Sequence, residues 1–173
     1  LALLGSLRGS ICIYQGEELG LPEADIAFED LQDPYGITFW PDAKGRDGCR
    51  TPMPWEAEAV NGGFSEAKPW LPMSPGHLSR AVSEQAHDEG SVLAFYRRFL
   101  AFRSAHPALV RGDVDVLSGE GNVLVLRRRD ETESLICVFN LSHRPAEWVL
   151  PGELTLTPLG GHGLDGKIGD GRV

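Results

Sequence analysis

Cysteine is scarce in this 173-residue chain: Cys12, Cys49 and Cys137 are three in number and far apart. An odd, widely spaced set builds neither a disulfide framework nor a metal site, and it points to a reducing, cytoplasmic setting. The five histidines are equally scattered, so neither a metal nor a cofactor is expected. Asp30, Asp33 and Asp47 miss the spacing of an EF-hand-like calcium loop. Positive charge is also short, with 16 Lys and Arg against 25 Asp and Glu and a formal net charge of -9. Binding to a phosphate backbone needs clustered cations, so no nucleic-acid partner is expected. The densest basic run, Arg127-Arg128-Arg129, is followed by Asp130, Glu131 and Glu133 and reads as a solvated strand end. No apolar run approaches the roughly 20 residues that span a bilayer. The opening Leu1-Ala2-Leu3-Leu4 is soon interrupted by Arg8, with no small-residue cleavage site before Glu17-Glu18, unlike a signal peptide. There is no initiator Met, and the chain is expected to be part of a longer polypeptide.

What is present falls into three zones. Ser10-Ile11-Cys12-Ile13-Tyr14 is nearly all β-branched or aromatic and predicts a buried strand of a parallel sheet. The residues before it, Leu1 to Leu7, predict the tail of a helix. From Gln15 to Glu89 no period is visible, yet the stretch holds eight of the twelve prolines and three of the four tryptophans, Trp40, Trp55 and Trp70. A long aperiodic segment so rich in aromatics predicts an ordered, site-building excursion rather than disorder. A helix follows, with Ser91 as N-cap and Val92, Phe95, Tyr96, Phe99, Leu100 and Phe102 on one stripe. Arg97, Arg98 and Arg103 lie largely off that stripe, and Pro107 is the stop. Beyond Ala108, Val114–Leu117, Asn122–Arg129, Ser134–Leu141, Glu147–Leu150 and Leu154–Thr157 predict short antiparallel strands separated by turns.

A buried strand, an oversized loop and an amphipathic helix make one βα unit of a (β/α)8 barrel, a fold whose βα loops build the active site. Specific residues then carry a resemblance. Gly9-Ser10-Ile11-Cys12-Ile13-Tyr14-Gln15-Gly16-Glu17-Glu18-Leu19-Gly20 resembles the eighth-strand motif of glycoside hydrolase family 13. Asp33-Pro34-Tyr35-Gly36, Trp40-Pro41 and Gly45-Arg46-Asp47-Gly48-Cys49-Arg50-Thr51-Pro52-Met53-Pro54-Trp55 are similar to the signature of its α-glucosidase and oligo-1,6-glucosidase group. Phe95-Tyr96-Arg97-Arg98 and His106-Pro107-Ala108-Leu109 resemble that group's last barrel helix. The resemblance implies a mixed architecture of α/β plus all-β. Residues 1–107 would end the catalytic (β/α)8 TIM barrel, and 108–173 would form an antiparallel β-sandwich C-terminal domain, incomplete here.

Retaining glycosidases set two carboxyl groups about 5–5.5 Å apart. The resemblance implies that these acids belong to earlier barrel strands. No catalytic residue is therefore assigned, and the chain taken alone is expected to be inactive. What it can supply is binding. Arg46 matches the first arginine of the signature, which the resemblance places on the glucose at the cleavage subsite, and a guanidinium fork suits sugar hydroxyls. The alternative is a salt bridge within the loop, with Asp47 as the nearest partner in sequence. Glu18 corresponds to a glutamate beside the aglycone subsite, or else pairs with a nearby arginine at the strand end. Arg50 is a further substrate-binding candidate, or it pins the loop. Trp40, Trp55 and Trp70 could stack on sugars or pack the loop down, and Tyr14 reads as core.

The function implied is that of a retaining α-glucosidase acting on a small oligosaccharide or disaccharide substrate, its remaining partner being the N-terminal barrel of the same polypeptide. The alternatives are a sucrose isomerase or trehalose synthase-like transglycosylase, and a non-catalytic superfamily relative.

Overall fold

In the computed structural model, which describes residues 1–152 and 154–173, Ser91 caps the longest helix. The helix is α5 in chain order and runs Val92–Ala105. Its Ala94 N–H donates to Ser91 Oγ at 3.1 Å, the bond an N-cap serine makes to the third helical residue. Leu93, Tyr96 and Phe99 are buried at helical spacing, close to the expected stripe. Val92 is the departure, since it is exposed and Leu93 is buried in its place. The helix ends before Pro107, whose fixed φ then opens the short α6, Pro107–Val110.

The chain divides into two units, with the boundary inside α5. One comprises Leu1–Cys12 and Tyr96–Val173, the other Ile13–Phe95.

In the first unit, α1 (Ala2–Ser6) is the helix tail expected from Leu1 to Leu7. Strands β1 (Asp113–Ser118), β2 (Val123–Arg129) and β3 (Ser134–Asn140) form an antiparallel sheet in the order β1-β2-β3. Their positions match the first three strand-like runs. The last two runs form no strand; residues 147–150 and 154–157 are irregular, and a lone bridge joins Val149 to Arg172. The described residues thus form one three-stranded sheet and no second layer, so the expected sandwich is not seen. Strand register is specified where side chains are buried, and the central strand β2 meets that condition: Val125 and Leu126, on opposite faces of the sheet, are almost wholly buried.

The triple arginine run corrects the reading of a solvated strand end. Side chains alternate across a strand, so Arg127 and Arg129 share one face and Arg128 takes the other. Arg127 reaches across to its register partner Asp115 with Nε and Nη2 at 3.0 and 2.8 Å. Arg129 is exposed. Arg128 is fully buried and has no carboxylate partner among the described residues. Its guanidinium donates to the carbonyls of Ser6 and Leu7 through Nη1, Gly112 through Nη2 and Asp113 through Nε, at 2.8–3.2 Å. Two of these carbonyls end α1, where unpaired acceptors need a donor. Burial pushes the guanidinium pKa down, and the four carbonyls offset that penalty.

Other ties are local to the same unit. Glu133 accepts from the Ala108 N–H at 2.9 Å and meets His106 Nδ1 at 2.8 Å, pinning the α5–α6 turn to the hairpin. Asp130 Oδ1 accepts from Thr132 and Glu133 to close that hairpin. Arg103, half-buried, donates to the Gly5 and Gly9 carbonyls.

Residues 10–14 depart from expectation. They make no ladder, and Cys12 and Tyr14 are exposed, so Tyr14 is not core among the described residues. A parallel strand is held by partners on its edges, and no described segment pairs with this one.

Two outcomes follow for the full-length protein. Arg128→Met strips four carbonyls of their donor, those of Ser6 and Gly112 in fully buried hydrogen bonds, and should lower the unfolding free energy by about 2–4 kcal/mol. Arg129→Met should stay within about 0.5 kcal/mol; urea unfolding of the two variants makes the comparison. Asp115 has its carboxyl pKa held below the ordinary value of 3.8, first by the hydrogen bond from Arg127. A lowered folded pKa gives stability that is present above the ordinary value and lost as pH falls through the folded one. Asp115→Asn should therefore weaken the pH dependence of the melting temperature below about pH 4 and leave it unchanged near neutrality.

Candidate functional site

All three binding candidates, Glu18, Arg46 and Arg50, lie in the Ile13–Phe95 unit. This unit is built from short pieces: α2 (Pro34–Phe39), α3 (Pro75–Leu78), α4 (Val82–Gln85) and several single 3₁₀ turns. Its apolar centre is Ala24, Ile26, Leu31 and Leu71, with Trp40 packed against it. Phe28 lies against Trp40, ring centroids 5.7 Å apart. Trp40 thus packs the loop, whereas Trp55 and Trp70 stand exposed.

Four contacts stitch the Gly45–Trp55 motif to the residues after Tyr14. The Gln15 amide donates to the Thr51 carbonyl at 3.2 Å, and Ala24 N–H donates to the Gly48 carbonyl at 2.9 Å. Buried His77 links the two sides. Its Nε2 lies 2.8 Å from the Pro22 carbonyl and its Nδ1 3.3 Å from the Thr51 hydroxyl. A carbonyl only accepts, so Nε2 carries a proton and donates to Pro22. Gly48 is required at its place, because a Cβ there would sit 2.4 Å from the Ala24 carbonyl oxygen.

Around Arg46 two buried carboxylates work in series. Asp47 Oδ2 accepts from the backbone N–H groups of Gln32 and Asp33, at 2.6 and 2.7 Å. Asp33 then caps α2, with Oδ1 accepting from Tyr35 N–H at 3.1 Å. Its Oδ2 accepts twice from Arg46, from the backbone N–H and from Nε, both at 3.0 Å. The Asp33 carboxyl pKa is lowered, most strongly by the Arg46 side-chain hydrogen bond and next by the Tyr35 N–H. The Arg46 pKa is raised by the same partner. Arg46 therefore does make a salt bridge, but with Asp33 thirteen residues back and not with Asp47, whose carboxylate is occupied by backbone. The Asp33 side chain is 3% exposed and that of Arg46 67%, so one edge of the guanidinium is anchored and the rest faces outward.

The other candidates are less constrained. Glu18 Oε2 accepts from Gly16 N–H at 2.9 Å and pairs with no arginine among the described residues. Arg50 is exposed, and its side chain makes no hydrogen bond or ion pair among the described residues. An open depression of about 440 Å³ lined by Glu56, Ala57, Glu58, Ala59, Ser83 and Glu84 includes none of the three. The role of Asp33 was missed from sequence. The available signal was Asp33-Pro34 ahead of a short helix, an N-cap followed by proline at the first helical position.

The chain is similar to known proteins along nearly its whole length. It is 55% identical over 172 residues to a probable α-glucosidase of Rhizobium meliloti (strain 1021), covering 99% of this chain and 31% of that protein. An oligo-1,6-glucosidase of Halalkalibacterium halodurans is 29% identical over 173 residues, covering 90% of this chain and 31% of the relative. The crystal structure of the α-glucosyl transfer enzyme XgtA superposes with a TM-score of 0.88 at 53% identity, covering 99% of this chain and 32% of that one. The present chain thus spans about a third of the length of these relatives. Residues 1–112 match the α-amylase catalytic domain, and the chain belongs to the α-amylase family.

Proposed function

We propose that this chain is the closing part of a retaining α-glucosidase that removes α-linked glucose from short oligosaccharides or disaccharides. Residues 1–107 are the end of its barrel, with 10–14 as the eighth strand once neighbouring strands flank it, and residues 108–173 begin a β-sandwich domain. Three free cysteines suit a reducing, cytoplasmic setting. The reacting acids lie on the part of the parent that this chain does not include.

One observation carries the reading. Arg46, inside the motif shared with the α-glucosidase group, is anchored by Nε to a buried carboxylate and keeps both terminal amino groups without a partner among the described residues. Such a fork can donate to two adjacent sugar hydroxyls at once. In this reading Glu18 accepts hydrogen bonds from sugar hydroxyls, and Arg50 offers a second set of donors.

The likeness to XgtA, described as an α-glucosyl transfer enzyme, favours a second reading in which an acceptor sugar or alcohol takes the place of water. Product analysis on maltose and sucrose separates the two, because hydrolysis yields free glucose and transfer yields new glucosides.

The full-length protein should release nitrophenol from p-nitrophenyl α-glucoside, and no release would count against the assignment. Arg46→Ala should lower kcat/KM about 10- to 100-fold, the loss of one or two charge-assisted hydrogen bonds, and Glu18→Gln only several-fold. The isolated 173-residue chain should be inactive and melt without a cooperative transition, because a lone barrel strand exposes unpaired edges. A sharp calorimetric peak from it would contradict this.

A further inference from the structure

An exposed arginine is mobile in general, and ordering it costs rotamer entropy when a ligand binds. Arg46 is exposed without being free. Its Nε and its own backbone N–H converge on one oxygen of Asp33, which fixes the guanidinium near its Cδ end and restricts rotation of its plane. Asp33 is in turn immobile. It is buried, its other oxygen is committed to the Tyr35 N–H, and its backbone N–H is held by Asp47. The close approach that permits this depends on two glycines. A Cβ on Gly45 would lie 2.9 Å from Gly36 N and 3.1 Å from Asp33 Cβ, and a Cβ on Gly36 would lie 2.5 Å from the Lys44 carbonyl oxygen. Gly45 also has φ +71°, in the region glycine tolerates best.

We propose that Asp33 is the positioning residue for Arg46, holding the guanidinium by its inner edge so that both Nη groups are presented, pre-oriented, to adjacent hydroxyls of a glucosyl unit. Asp33 does not touch the sugar, because its carboxylate is buried and its oxygens are already accepting. Asp47 backs it by holding the peptide N–H groups of Gln32 and Asp33. A side-on clamp differs from an end-on bidentate pair, which would consume the Nη donors that the ligand needs. The inference rests on Arg46 being a sugar contact. Because the Asp33 pKa is lowered, chiefly by Arg46, the clamp stays ionised above the ordinary carboxylate range and is lost only as pH falls below it.

A double-mutant cycle in the full-length protein tests this, with kcat and KM on p-nitrophenyl α-glucoside and thermal melting recorded for every variant. Asp33→Asn preserves shape and the cap on α2 but puts an amide opposite Nε. Asp33→Ser is the second variant; serine is a good N-cap, so it retains α2 while removing the clamp. Each should lower kcat/KM about 10-fold in the Arg46 background, mainly through KM, and by less than two-fold when Arg46 is already Ala. An undiminished loss in the Arg46→Ala background would show that Asp33 acts through the fold alone and would overturn the proposal. If Arg46→Ala lowers kcat/KM while both Asp33 variants match the wild type, positioning by Asp33 is refuted and the sugar contact of Arg46 stands. If Arg46→Ala itself stays within two-fold of wild type, the sugar contact fails and the positioning role falls with it.

Discussion

A buried backbone must find hydrogen-bond partners whether or not it forms helices and sheets, and that requirement shapes the whole Ile13–Phe95 unit. Its helices are short and no ladder forms in it among the described residues, so side chains take the place of regular structure. Asp47 and Asp33 accept from five N–H groups between them, one of them the Arg46 side chain. His77 spans two loop segments. Gln85 donates to the Leu19 and Arg80 carbonyls and accepts from Leu93 N–H. Each of these polar residues is buried because it satisfies main chain that water cannot reach. The Arg46 fork is held in the open as a by-product of this accounting, since the carboxylate that closes the turn into α2 has one lone-pair direction left for Nε.

The same requirement appears with opposite sign in the other unit. There the orphan groups are acceptors at the end of α1 and in the turn before β1, and the donor is the buried Arg128. A lysine could not replace it, because one ammonium lacks the planar spread to reach four carbonyls on two segments. Carboxylates that bind amides and an arginine that binds carbonyls are two answers to one constraint. They explain why the charged residues of this acidic chain are not all on its surface.

The likeness to the probable α-glucosidase of R. meliloti and to XgtA extends over 99% of this chain. The Gly45–Trp55 motif and its supporting carboxylates fall within that shared stretch. Tyr35 and Phe39 pack ring to ring at 4.7 Å yet are half-exposed, and Tyr14 and Trp55 are as well.

Sequence alone determined what local chemistry decides. The Ser91 cap and the apolar stripe define α5, Pro107 ends it, and alternation of β-branched residues marks β1 to β3, because each depends on neighbours within a few residues. The family was legible too, since the Gly45–Trp55 motif is contiguous. Only the tertiary structure decided what depends on distant partners. It set Asp33 against Arg46 across thirteen residues, placed Arg128 inside while Arg129 stayed out, and left Ser10–Tyr14 without a ladder. Those outcomes turn on which groups are removed from water together, and that is a property of the folded arrangement and not of any short run of residues.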